Sequence, residues 1–482
     1  MQLSNNYAEH LSSFGHFVKP VPLEGMRIGL FNSALANEIE IPGQLTHPET
    51  WLKWLHSPVT PLTRKAFAQK YGGHQFGQWN PNLGDGRGLL LGELKNSRGI
   101  PFDLHLKGAG PTPFSRHADG RAVLRSTLRE YIAGEALHHL GIPSSRSLCL
   151  FTSSELVYRE SPEPGAMMIR TAPSHIRFGH FEYYFYSGQH DKLQTLLNYT
   201  IQNYFPECNN SSTPYASLLH AIVTRTARLI ALWQNHGFVH GVMNTDNMSI
   251  HGITFDFGPF AFINQYKPNA VFNHSDHEGR YAFNQQPGIA LWNLNALAHA
   301  FSAYLDVDTI KAQLATFETT YISQYQHLML SRMGLSGSQK LLPQALELMQ
   351  KWLQLLATEQ IDYTFAFRQL AHANIQQEDC PFRDKFINTH QLSDWWQNYR
   401  ALRQSIQKQH KGEASSLLAL NPAVVPHTHL LQNAITMAHN DDFSYAEQLL
   451  EATCTPYDTK WDNHEFSQPL ASTTQVNLSC SS

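Results

Sequence analysis

The stretch of sequence at residues 236–258, which reads HGFVHGVMNTDNMSIHGITFDFG, restricts the fold of this chain more than any other segment. It holds two asparagines and two aspartates around a short apolar run, and it closes on Asp256, Phe257 and Gly258. The run at 250–255 predicts a strand within a hairpin. Carboxylate and carboxamide oxygens are ligands that Mg²⁺ prefers, and a nearby aspartate can accept a proton from a hydroxyl. The stretch therefore predicts a phosphate-binding site with a metal ion.

Length and composition indicate a large globular protein. A chain of 482 residues is too long to fold around one compact core. This length favours two or three domains, or one bilobal unit with appended helices. Hydrophobic residues make up 42% and charged residues only 15%, which argues against a disordered chain. The formal net charge of −4 gives no reason to expect a nucleic acid partner.

The same sequence carries indications about location. Its first residues have no basic region followed by an apolar core, so no secretory signal is expected. No apolar run approaches the roughly 18 residues of a membrane span. The five cysteines show no CxxC spacing, which is typical of a reducing cytosol and predicts no zinc site. We therefore expect a cytoplasmic protein without a membrane segment.

A glycine-rich run forms the first candidate nucleotide contact. Residues 83–91 read LGDGRGLLL and predict a strand, a glycine turn and a second strand. Gly84 and Gly86 let backbone N–H groups approach phosphate oxygens, and Arg87 adds positive charge. A tight hairpin without a ligand explains the same run, and an isolated motif of this kind is more often structural.

A lysine and a glutamate then follow in an order typical of nucleotide sites. The alternating run at 102–107 predicts a strand that ends at Lys107. Apolar residues recur at helical spacing over 122–141, with Glu130 in the middle of this predicted helix. A strand lysine paired with a helix glutamate holds nucleotide phosphates in protein kinases. Either side chain alone is more often simply solvated, so the prediction depends on their combination with the glycine turn.

Two arginines stand in the next apolar region. Strand-like runs at 147–151, 156–158 and 166–170 end with Arg170, and Arg177 follows within HIRFGH. Guanidinium groups form bidentate contacts with phosphate, so this pair is suited to a polyphosphate tail. Surface ion pairs are the competing interpretation.

The later sequence is mainly helical. Thr213 and Pro214 begin a predicted helix that runs to about residue 235 and ends at Gly237. Further helices are predicted around 307–330, 343–358 and 394–410. We expect four parts: a loop-rich N-terminal wrap at 1–64, a β-rich unit at 65–178, a helical unit at 179–390 with the catalytic and metal-binding loops, and a helical extension with a tail at 391–482.

The position of Val242 separates this site from ordinary kinase loops. In one broad kinase-like class the loop reads His-Gly-Asp, with an asparagine five residues after the aspartate. Aligning Asn247 with that asparagine places Val242 where the aspartate should be. Valine cannot accept a proton, so Asp246 is the remaining carboxylate. Two interpretations stay open: Asp246 acts as the base for a nucleotide in another orientation, or the site is inactive and the fold is a scaffold.

Four long motifs resemble one known family. Within residues 65–300 the chain reads YGGHQFGQWNPNLGDGRG, DLHLKGAGPTPFSRHADGRAVLR, HIRFGHFEY and HGVMNTDNMSIHGITFDFGPF. These motifs resemble the selenoprotein O family of protein adenylyltransferases. The resemblance implies an α+β, bilobal, protein-kinase-like fold with a β-rich N-lobe, a helical C-lobe and extra C-terminal helices. It also implies ATP bound in a flipped orientation and AMP transfer to serine, threonine or tyrosine hydroxyls of proteins.

The resemblance also assigns roles to positions that match the family motifs. Asp246 would be the base, and Asn247 and Asp256 would bind Mg²⁺ or Mn²⁺. Nucleotide contacts would come from Gly84, Gly86, Arg87, Lys107 paired with Glu130, Asp119, Gly120, Arg170, Arg177 and Asp256. With ATP flipped, the α-phosphate faces the acceptor, which accounts for Val242.

The end of the chain departs from the family pattern. Some family members carry selenocysteine at the position of Cys480 in this chain. The segment 256–300 contains no cysteine that could pair with Cys480, so an intramolecular disulfide to that loop is not expected.

We therefore expect a Mg²⁺- or Mn²⁺-dependent protein adenylyltransferase whose partners are ATP and proteins with accessible hydroxyls. UMP transfer from UTP is a further possibility. The alternatives are an inactive pseudokinase scaffold and an atypical kinase that transfers the γ-phosphate. No nucleic acid partner and no membrane partner are expected.

Overall fold

An antiparallel sheet of nine strands dominates the first 172 residues of the computed structural model, which describes residues 3–57, 60, 65–409 and 416–470. The strands are β1 (Gly15–Phe17), β2 (Arg27–Phe31), β3 (Phe67–Gln75), β4 (Gln78–Gly84), β5 (Gly88–Lys95), β6 (Pro101–Lys107), β7 (Ala122–Val123), β8 (Arg146–Tyr158) and β9 (Pro162–Ala172). Their order is β1-β3-β5-β6-β9-β8-β2, with β4 beside β3 and β7 beside β9. The strands predicted around the glycine turn and before Lys107 are confirmed.

Side chains of the central strands alternate between two apolar cores. In β5, Leu89 belongs to one core and Leu90 to the other, and in β9 Ile169 and Met168 divide in the same way. Successive side chains of a strand point to opposite faces of the sheet. Because both faces are covered, these strands read as nearly continuous apolar runs rather than alternating ones.

Helices cover the sheet and build the rest of the molecule. The described helices are α1 (Asn6–His10), α2 (Ser33–Glu38), α3 (Pro48–His56), α4 (Leu124–His139), α5 (Phe178–Tyr186), α6 (His190–Tyr204), α7 (Pro214–His236), α8 (Gln286–Phe301), α9 (Val307–Arg332), α10 (Leu342–Glu359), α11 (Tyr363–His372), α12 (Thr389–Gln409), α13 (Thr428–Ala438) and α14 (Ser444–Cys454). One core joins a sheet face to α4–α8, α13 and α14, and another lies among α9–α12. The protein is therefore α+β, as predicted.

The helix predictions in the second half agree with the structure. Helix α7 ends one residue beyond the predicted 235, and Gly237 follows it in the left-handed conformation (φ +70°) that glycine adopts without steric cost. Helices α9, α10 and α12 confirm the predictions around 307–330, 343–358 and 394–410. The predicted tail at 471–482, with Cys480, lies outside the described residues.

The prediction of a loop-rich N-terminal segment was wrong. Strand β1 pairs with β3, β2 pairs with β8, and helices α2 and α3 cover one face of the sheet. Trp51 and Leu55 of α3 are buried there. The prolines of this segment lie between short elements, and each short strand is held by a partner that comes much later in the chain. The proposed boundaries at 64, 178 and 390 stay predictions.

The strand predicted over 250–255 is also wrong. Two isolated bridges stand here rather than a ladder: Ser249, just before the segment, pairs with Arg177, and Thr254 pairs with Ser144. Gly252 adopts a left-handed turn (φ +64°) between them, so the apolar residues on either side cannot share one extended strand. The nearby hairpin is formed instead by β10 (Phe238–Val239) and β11 (Ala261–Phe262), which join the two ends of the loop.

No described helix combines the length and apolar character that crossing a membrane requires.

A buried carboxylate caps helix α11 and makes the stability of the helical part sensitive to pH. Asp362 accepts a hydrogen bond from Phe365 N at 2.9 Å, and burial raises the pKa of its carboxyl to about 7. His427 lies 3.7 Å away, and burial lowers its pKa to about 4. In an unfolded chain the aspartate pKa is about 4. Folding therefore favours the protonated form of Asp362. The free energy of unfolding that this group contributes is lost as the pH rises from about 4 to 7.

Asp362→Asn should keep the helix cap without a charge to bury. We expect the variant to be more stable than the wild type by about 1–3 kcal/mol at pH 8, and the difference to vanish near pH 4. Thermal unfolding at a series of pH values measures both. Asp306→Asn is the control, because Asp306 caps α9 through Thr309 N at the surface and its pKa is lowered by that hydrogen bond. A variant at 362 with no gain at pH 8 would contradict the prediction.

Candidate active site

One cavity of about 790 Å³ lies between the sheet and the loop at 242–259. The structure brings every site residue predicted from the sequence to its wall. These are Gly84, Gly86, Arg87, Lys107, Asp119, Gly120, Glu130, Arg170, Arg177, Asp246, Asn247 and Asp256. Seven lysine or arginine side chains and five carboxylates line the cavity, so its net charge is positive. Such a cavity attracts a polyanion such as a polyphosphate.

The glycine turn lies between β4 and β5 and is held by the segment at 112–115. Ser115 donates a hydrogen bond to the carbonyl of Gly86, and Thr112 Oγ1 donates to the carbonyl of Asp85 at 2.7 Å. A Cβ atom on Gly84 would lie 2.5 Å from the ring of Phe114. Only glycine fits there, and the turn therefore presents bare backbone to the cavity.

Charged side chains of alternating sign cross the cavity floor. Glu130 of α4 contacts Lys107 of β6 and also Arg170 of β9, the latter at 3.0 Å. Arg170 and Arg177 both form ion pairs with Asp256. Arg170 thus connects the lysine–glutamate pair to the aspartate of the Asp-Phe-Gly motif, and Arg177 pairs with the other oxygen of that aspartate.

Both carboxylates in this row are ionised. Burial opposes the charge of Glu130, but Lys107 and Arg170 hold its pKa below the usual value. Burial acts likewise on Asp256, yet Arg170, Arg177 and Lys107 hold its pKa well below the usual range. Asp256 also has a left-handed backbone (φ +57°), a conformation that aspartate tolerates better than most residues. The ion pairs therefore fix a strained residue in its charged form.

Asp246 has a different environment. It lies in a short 3-10 turn at 245–247, and burial raises the pKa of its carboxyl to about 7, although Arg177 opposes this. Gln75 Nε2 donates a hydrogen bond to Asp246 Oδ2 at 3.2 Å, and Asn80 Nδ2 donates to Gln75 Oε1 at 3.2 Å. The asparagine therefore orients the glutamine amide so that its NH₂ group faces the carboxylate. Asp246 Oδ1 is buried without a hydrogen-bond partner.

Asn247 is oriented by the residue that replaces the kinase aspartate. Its Nδ2 donates a hydrogen bond to the carbonyl of Val242 at 3.0 Å, which leaves Oδ1 as the outer end of the amide. Val242 also lines the cavity, so an apolar side chain stands where a hydroxyl-binding carboxylate would otherwise be. In this loop Asp246 is the titratable side chain closest to Asn247 in sequence.

Asp119 and Gly120 occupy the rim. Arg159 forms two hydrogen bonds with the exposed carboxylate of Asp119, at 2.7 and 3.0 Å. Gly120 has φ +67°, and a Cβ atom there would lie 2.1 Å from the carbonyl oxygen of Gly110. This pair therefore shapes the entrance of the cavity rather than its floor.

Close backbone packing sets the position of Asp246. A Cβ atom on Gly179 of α5 would lie 2.1 Å from the carbonyl oxygen of Gly72, and one on Gly73 would lie 2.8 Å from Asp246 Oδ1. Two glycines of β3 and one of α5 thus let the strand, the helix and the loop meet. This contact accounts for the two adjacent glycines of YGGHQFG and for the glycine of HIRFGHF.

Gly179→Ala should separate β3 from the Asp246 loop. We expect nucleotide transfer to fall by about tenfold or more, and stability by about 1–3 kcal/mol, because the added methyl overpacks rigid backbone. Gly288→Ala in α8 is the matched control, since a Cβ atom there meets nothing within 4 Å and alanine favours helices. Steady-state kinetics and thermal unfolding of both variants check the prediction, which fails if the two behave alike.

Several cavity residues were missed from the sequence. Asp85 lies buried within the glycine turn and accepts a hydrogen bond from Gln69 N at 3.0 Å, while His105 Nε2 lies 3.5 Å from it. Asp85 and His105 stand inside motifs already noted, so their position was a usable signal. Gln75 and Asn244 lie inside the quoted motifs as well, but their contacts around the Asp246 loop depend on folding and are not indicated by the sequence.

A separate group of side chains offers metal-ligand atoms away from this cavity. Glu135, His139 and Cys454 each place one such atom within 4.8 Å of the others. Both oxygens of Glu135 already bind Arg146, at 2.7 and 2.6 Å, so the carboxylate is neutralised. None of the three lines the nucleotide cavity, and the group does not bear on the metal predicted at Asn247 and Asp256.

Comparison with known proteins identifies the family. The chain matches the family described as protein adenylyltransferase SelO over residues 1–454. The chain belongs to this family. Relatives at full length support the membership of this SelO family protein. The protein nucleotidyltransferase YdiU of Pseudoalteromonas atlantica is 47% identical, with 100% of both chains covered.

Two further relatives carry the same name. Those of Erwinia tasmaniensis and Vibrio vulnificus are 42% and 43% identical, and each comparison covers 100% of this chain and at least 99% of the relative. The predicted family and enzyme class are confirmed: this SelO family member is a nucleotidyltransferase. The scaffold and the γ-phosphate kinase are correspondingly not favoured.

Proposed function

We propose that this protein transfers AMP from ATP to serine, threonine or tyrosine hydroxyls of acceptor proteins and releases pyrophosphate. The observation that carries the proposal is the position of the carboxylate in one loop, where a valine stands at the place of the kinase aspartate. Val242 cannot accept a proton, whereas Asp246, four residues later, presents a carboxylate to the same cavity. A base displaced in this way suits attack on a phosphate other than the terminal one.

The proposal includes a bilobal, protein-kinase-like arrangement. The sheet with α4 would form the smaller, β-rich lobe, and the helices from α5 onward the larger lobe with extra C-terminal helices. The ion pair between Lys107 on a central strand and Glu130 on the helix that follows supports this view, since kinases use such a pair at the nucleotide phosphates.

We assign nucleotide binding to the row of charges and the glycine turn. Lys107, Arg170 and Arg177 would contact the phosphates, with Glu130 holding two of these cations in place. The backbone of the turn at Gly84 and Gly86 would lie against the nucleotide, with Arg87 beside it. Asp119 and Gly120 at the rim would complete the flipped pose, in which the α-phosphate lies near Asp246.

The residues present fit a divalent cation. Asn247 Oδ1 and the ionised carboxylate of Asp256 are hard oxygen donors on one wall, as Mg²⁺ or Mn²⁺ prefers. When bound, the metal would neutralise phosphate charge. Asp256 currently pairs with Arg170 and Arg177, so arrival of phosphate would offer both arginines a second anionic partner.

The transfer itself needs one base and one leaving group. The acceptor hydroxyl oxygen forms a bond to the α-phosphorus while the bond from that phosphorus to the bridging oxygen of pyrophosphate breaks. The hydroxyl proton passes to the Asp246 carboxylate, and the electron pair of the broken bond leaves with pyrophosphate. Gln75 holds Asp246 Oδ2 during this step, and Arg177 holds the loop through the carbonyl of Asp246 at 2.7 Å.

The finer assignments follow from the same chemistry. We propose ATP as the nucleotide, with UTP as a further substrate to be compared directly. We also propose a cytosolic location without nucleic acid or membrane partners, which the four described cysteines, all free thiols, support.

Labelled ATP tests the proposal. The protein is incubated with Mg²⁺ or Mn²⁺, a mixture of denatured acceptor proteins, and ATP labelled at either the α- or the γ-phosphate. We expect label from the α position alone to become covalently attached to protein, with one pyrophosphate released per transfer. Attachment of γ-label alone would overturn the proposal in favour of a kinase. Binding of ATP without transfer from either position would overturn it in favour of a scaffold.

A further inference from the structure

Five aromatic side chains border the mouth of the cavity on its Asp246 side, and all of them except the buried Tyr281 reach the surface. We call this group the aromatic patch; its members are Phe76, Trp79, Tyr186, Tyr281 and Trp292. Three members expose large parts of their surface: Phe76 and Tyr186 are each 42% exposed and Trp292 is 36% exposed. Contiguous apolar surface of this kind marks interaction sites on globular proteins.

The aromatic patch is continuous and preformed. The ring of His74 lies 5.2 Å from that of Trp79, 5.9 Å from Tyr186 and 5.4 Å from Trp292. The buried carboxylate of Glu182 forms a hydrogen bond with His74 and fixes this central ring. The patch therefore unites the β3–β4 hairpin with the end of α5 and the exposed side of α8.

The patch is bonded directly to the loop that holds Asp246. His74 N donates a hydrogen bond to Thr245 Oγ1 at 2.7 Å. Phe76 N and the hydroxyl of Tyr281 both donate to Asn244 Oδ1, at 3.1 and 2.6 Å. Whatever binds on the patch is thereby held within a few residues of the reacting carboxylate.

A cation completes the surface. The guanidinium of Arg280 lies 4.8 Å from the ring centre of Trp292. Its Nε atom is buried without a hydrogen-bond partner, and over residues 3–57, 65–409 and 416–470 no carboxylate comes within ion-pair distance of it. Aromatic rings beside an arginine are the side chains most often found where binding energy concentrates in protein interfaces.

We propose that the aromatic patch is the docking surface for the acceptor protein, an inference that rests on the proposed AMP transfer. The occupant is an extended segment with an aromatic or large aliphatic side chain and a carboxylate near the accepting hydroxyl. The apolar side chain packs among Phe76, Trp79 and Trp292. The carboxylate of this segment pairs with Arg280, and its hydroxyl reaches Asp246 across the side of the cavity mouth that the patch borders.

A randomised peptide library tests whether the protein prefers apolar and acidic residues near the accepting hydroxyl. Each peptide carries one fixed serine, threonine or tyrosine, and its other positions vary. The full-length protein is incubated with the library and α-labelled ATP, and the labelled peptides are sequenced. In parallel, the library is passed over the immobilised protein without ATP, and bound peptides are sequenced. We expect both procedures to enrich aromatic or aliphatic residues and acidic residues near the hydroxyl.

Two variants make the test specific. Trp292→Ala should lose the apolar preference and raise KM for an enriched peptide by about tenfold or more, with kcat and the Kd of ATP unchanged. Arg280→Glu should exchange the acidic preference for a basic one, which a merely destabilised protein would not do. Val307→Ala is the control, because Val307 is 60% exposed at the start of α9 and belongs to no patch.

The outcomes separate the inference from the proposed function. A wild type that labels peptides without either preference, or variants that select as the wild type does, would overturn the docking surface alone. If no peptide is labelled, the proposed AMP transfer is contradicted. The binding procedure then still shows whether the patch binds peptides with the expected residues. A wild-type dimer in sedimentation that Trp292→Ala dissociates would also overturn the inference, because a second copy would then occupy the patch.

Discussion

Asp256→Asn is expected to lower AMP transfer by about a thousandfold or more, because Asp256 is a proposed metal ligand and its loss would remove several kcal/mol of charge stabilisation. The substitution keeps the size of the side chain but removes the carboxylate charge that Arg170 and Arg177 share. Initial rates with α-labelled ATP measure the loss directly.

The same variant should respond to ATP in an unusual way. Two buried guanidinium groups lose their shared counter-charge, which costs about 2–4 kcal/mol of stability. ATP phosphates can replace that charge, so ATP without metal should raise the melting temperature of the variant more than that of the wild type. Thermal unfolding with ATP and a chelator measures this difference.

Another aspartate that pairs with a buried arginine provides the control. Asp462 accepts a hydrogen bond from Arg368 Nε at 2.6 Å and lies outside the nucleotide cavity. Asp462→Asn should lose stability as well, but keep its transfer rate and gain no more from ATP than the wild type does. Equal ATP responses of all three proteins would show that Arg170 and Arg177 do not contact phosphate.

Asp246→Asn should lower the transfer rate by about a hundredfold to ten-thousandfold, which is the range that a positioned base contributes. The Kd of ATP should remain unchanged, because no cation of the cavity floor pairs with the Asp246 carboxylate. Single-turnover measurements at saturating ATP isolate the chemical step. The variant should be at least as stable as the wild type, since burial disfavours the charged carboxylate.

Gln75→Ala separates the base from the residue that positions it. This variant keeps the Asp246 carboxylate but loses the hydrogen bond to Oδ2, so a smaller loss of about tenfold is expected. If Asp246→Asn keeps the full rate, the base lies elsewhere. If Gln75→Ala is as slow as Asp246→Asn, the Gln75 amide does more than orient the Asp246 carboxylate.

Local patterns were enough to predict the parts of the site that lie within one element. The glycine turn, the strand that ends at Lys107 and the helix around Glu130 depend on residues close together in the sequence. Their periodicity and turn residues determine them without reference to distant parts of the chain. The family resemblance then supplied the roles of Asp246 and the two arginines.

Contacts between distant residues could not be predicted in this way. Gln75 reaches Asp246 across 171 positions of sequence, and nothing near either residue indicates the other. The segment 250–255 has the apolar character of a strand, but Ile250 bonds to Ile176 while Thr254 pairs with Pro143 and Ser144. Gly252 turns the chain between these two contacts. Tertiary context therefore overrode local propensity there.

The placement of β1 and β2 has a consequence for how the protein folds. Both strands lie within the first 31 residues, yet they occupy opposite ends of the sheet order. On a ribosome both strands emerge before the strands with which they pair, since Phe31 pairs with Cys149. Pairings of such long separation form slowly. Removal of the chain through residue 31 would uncover two strand edges at once, and exposed edges promote aggregation. This short segment thus protects the whole sheet from self-association.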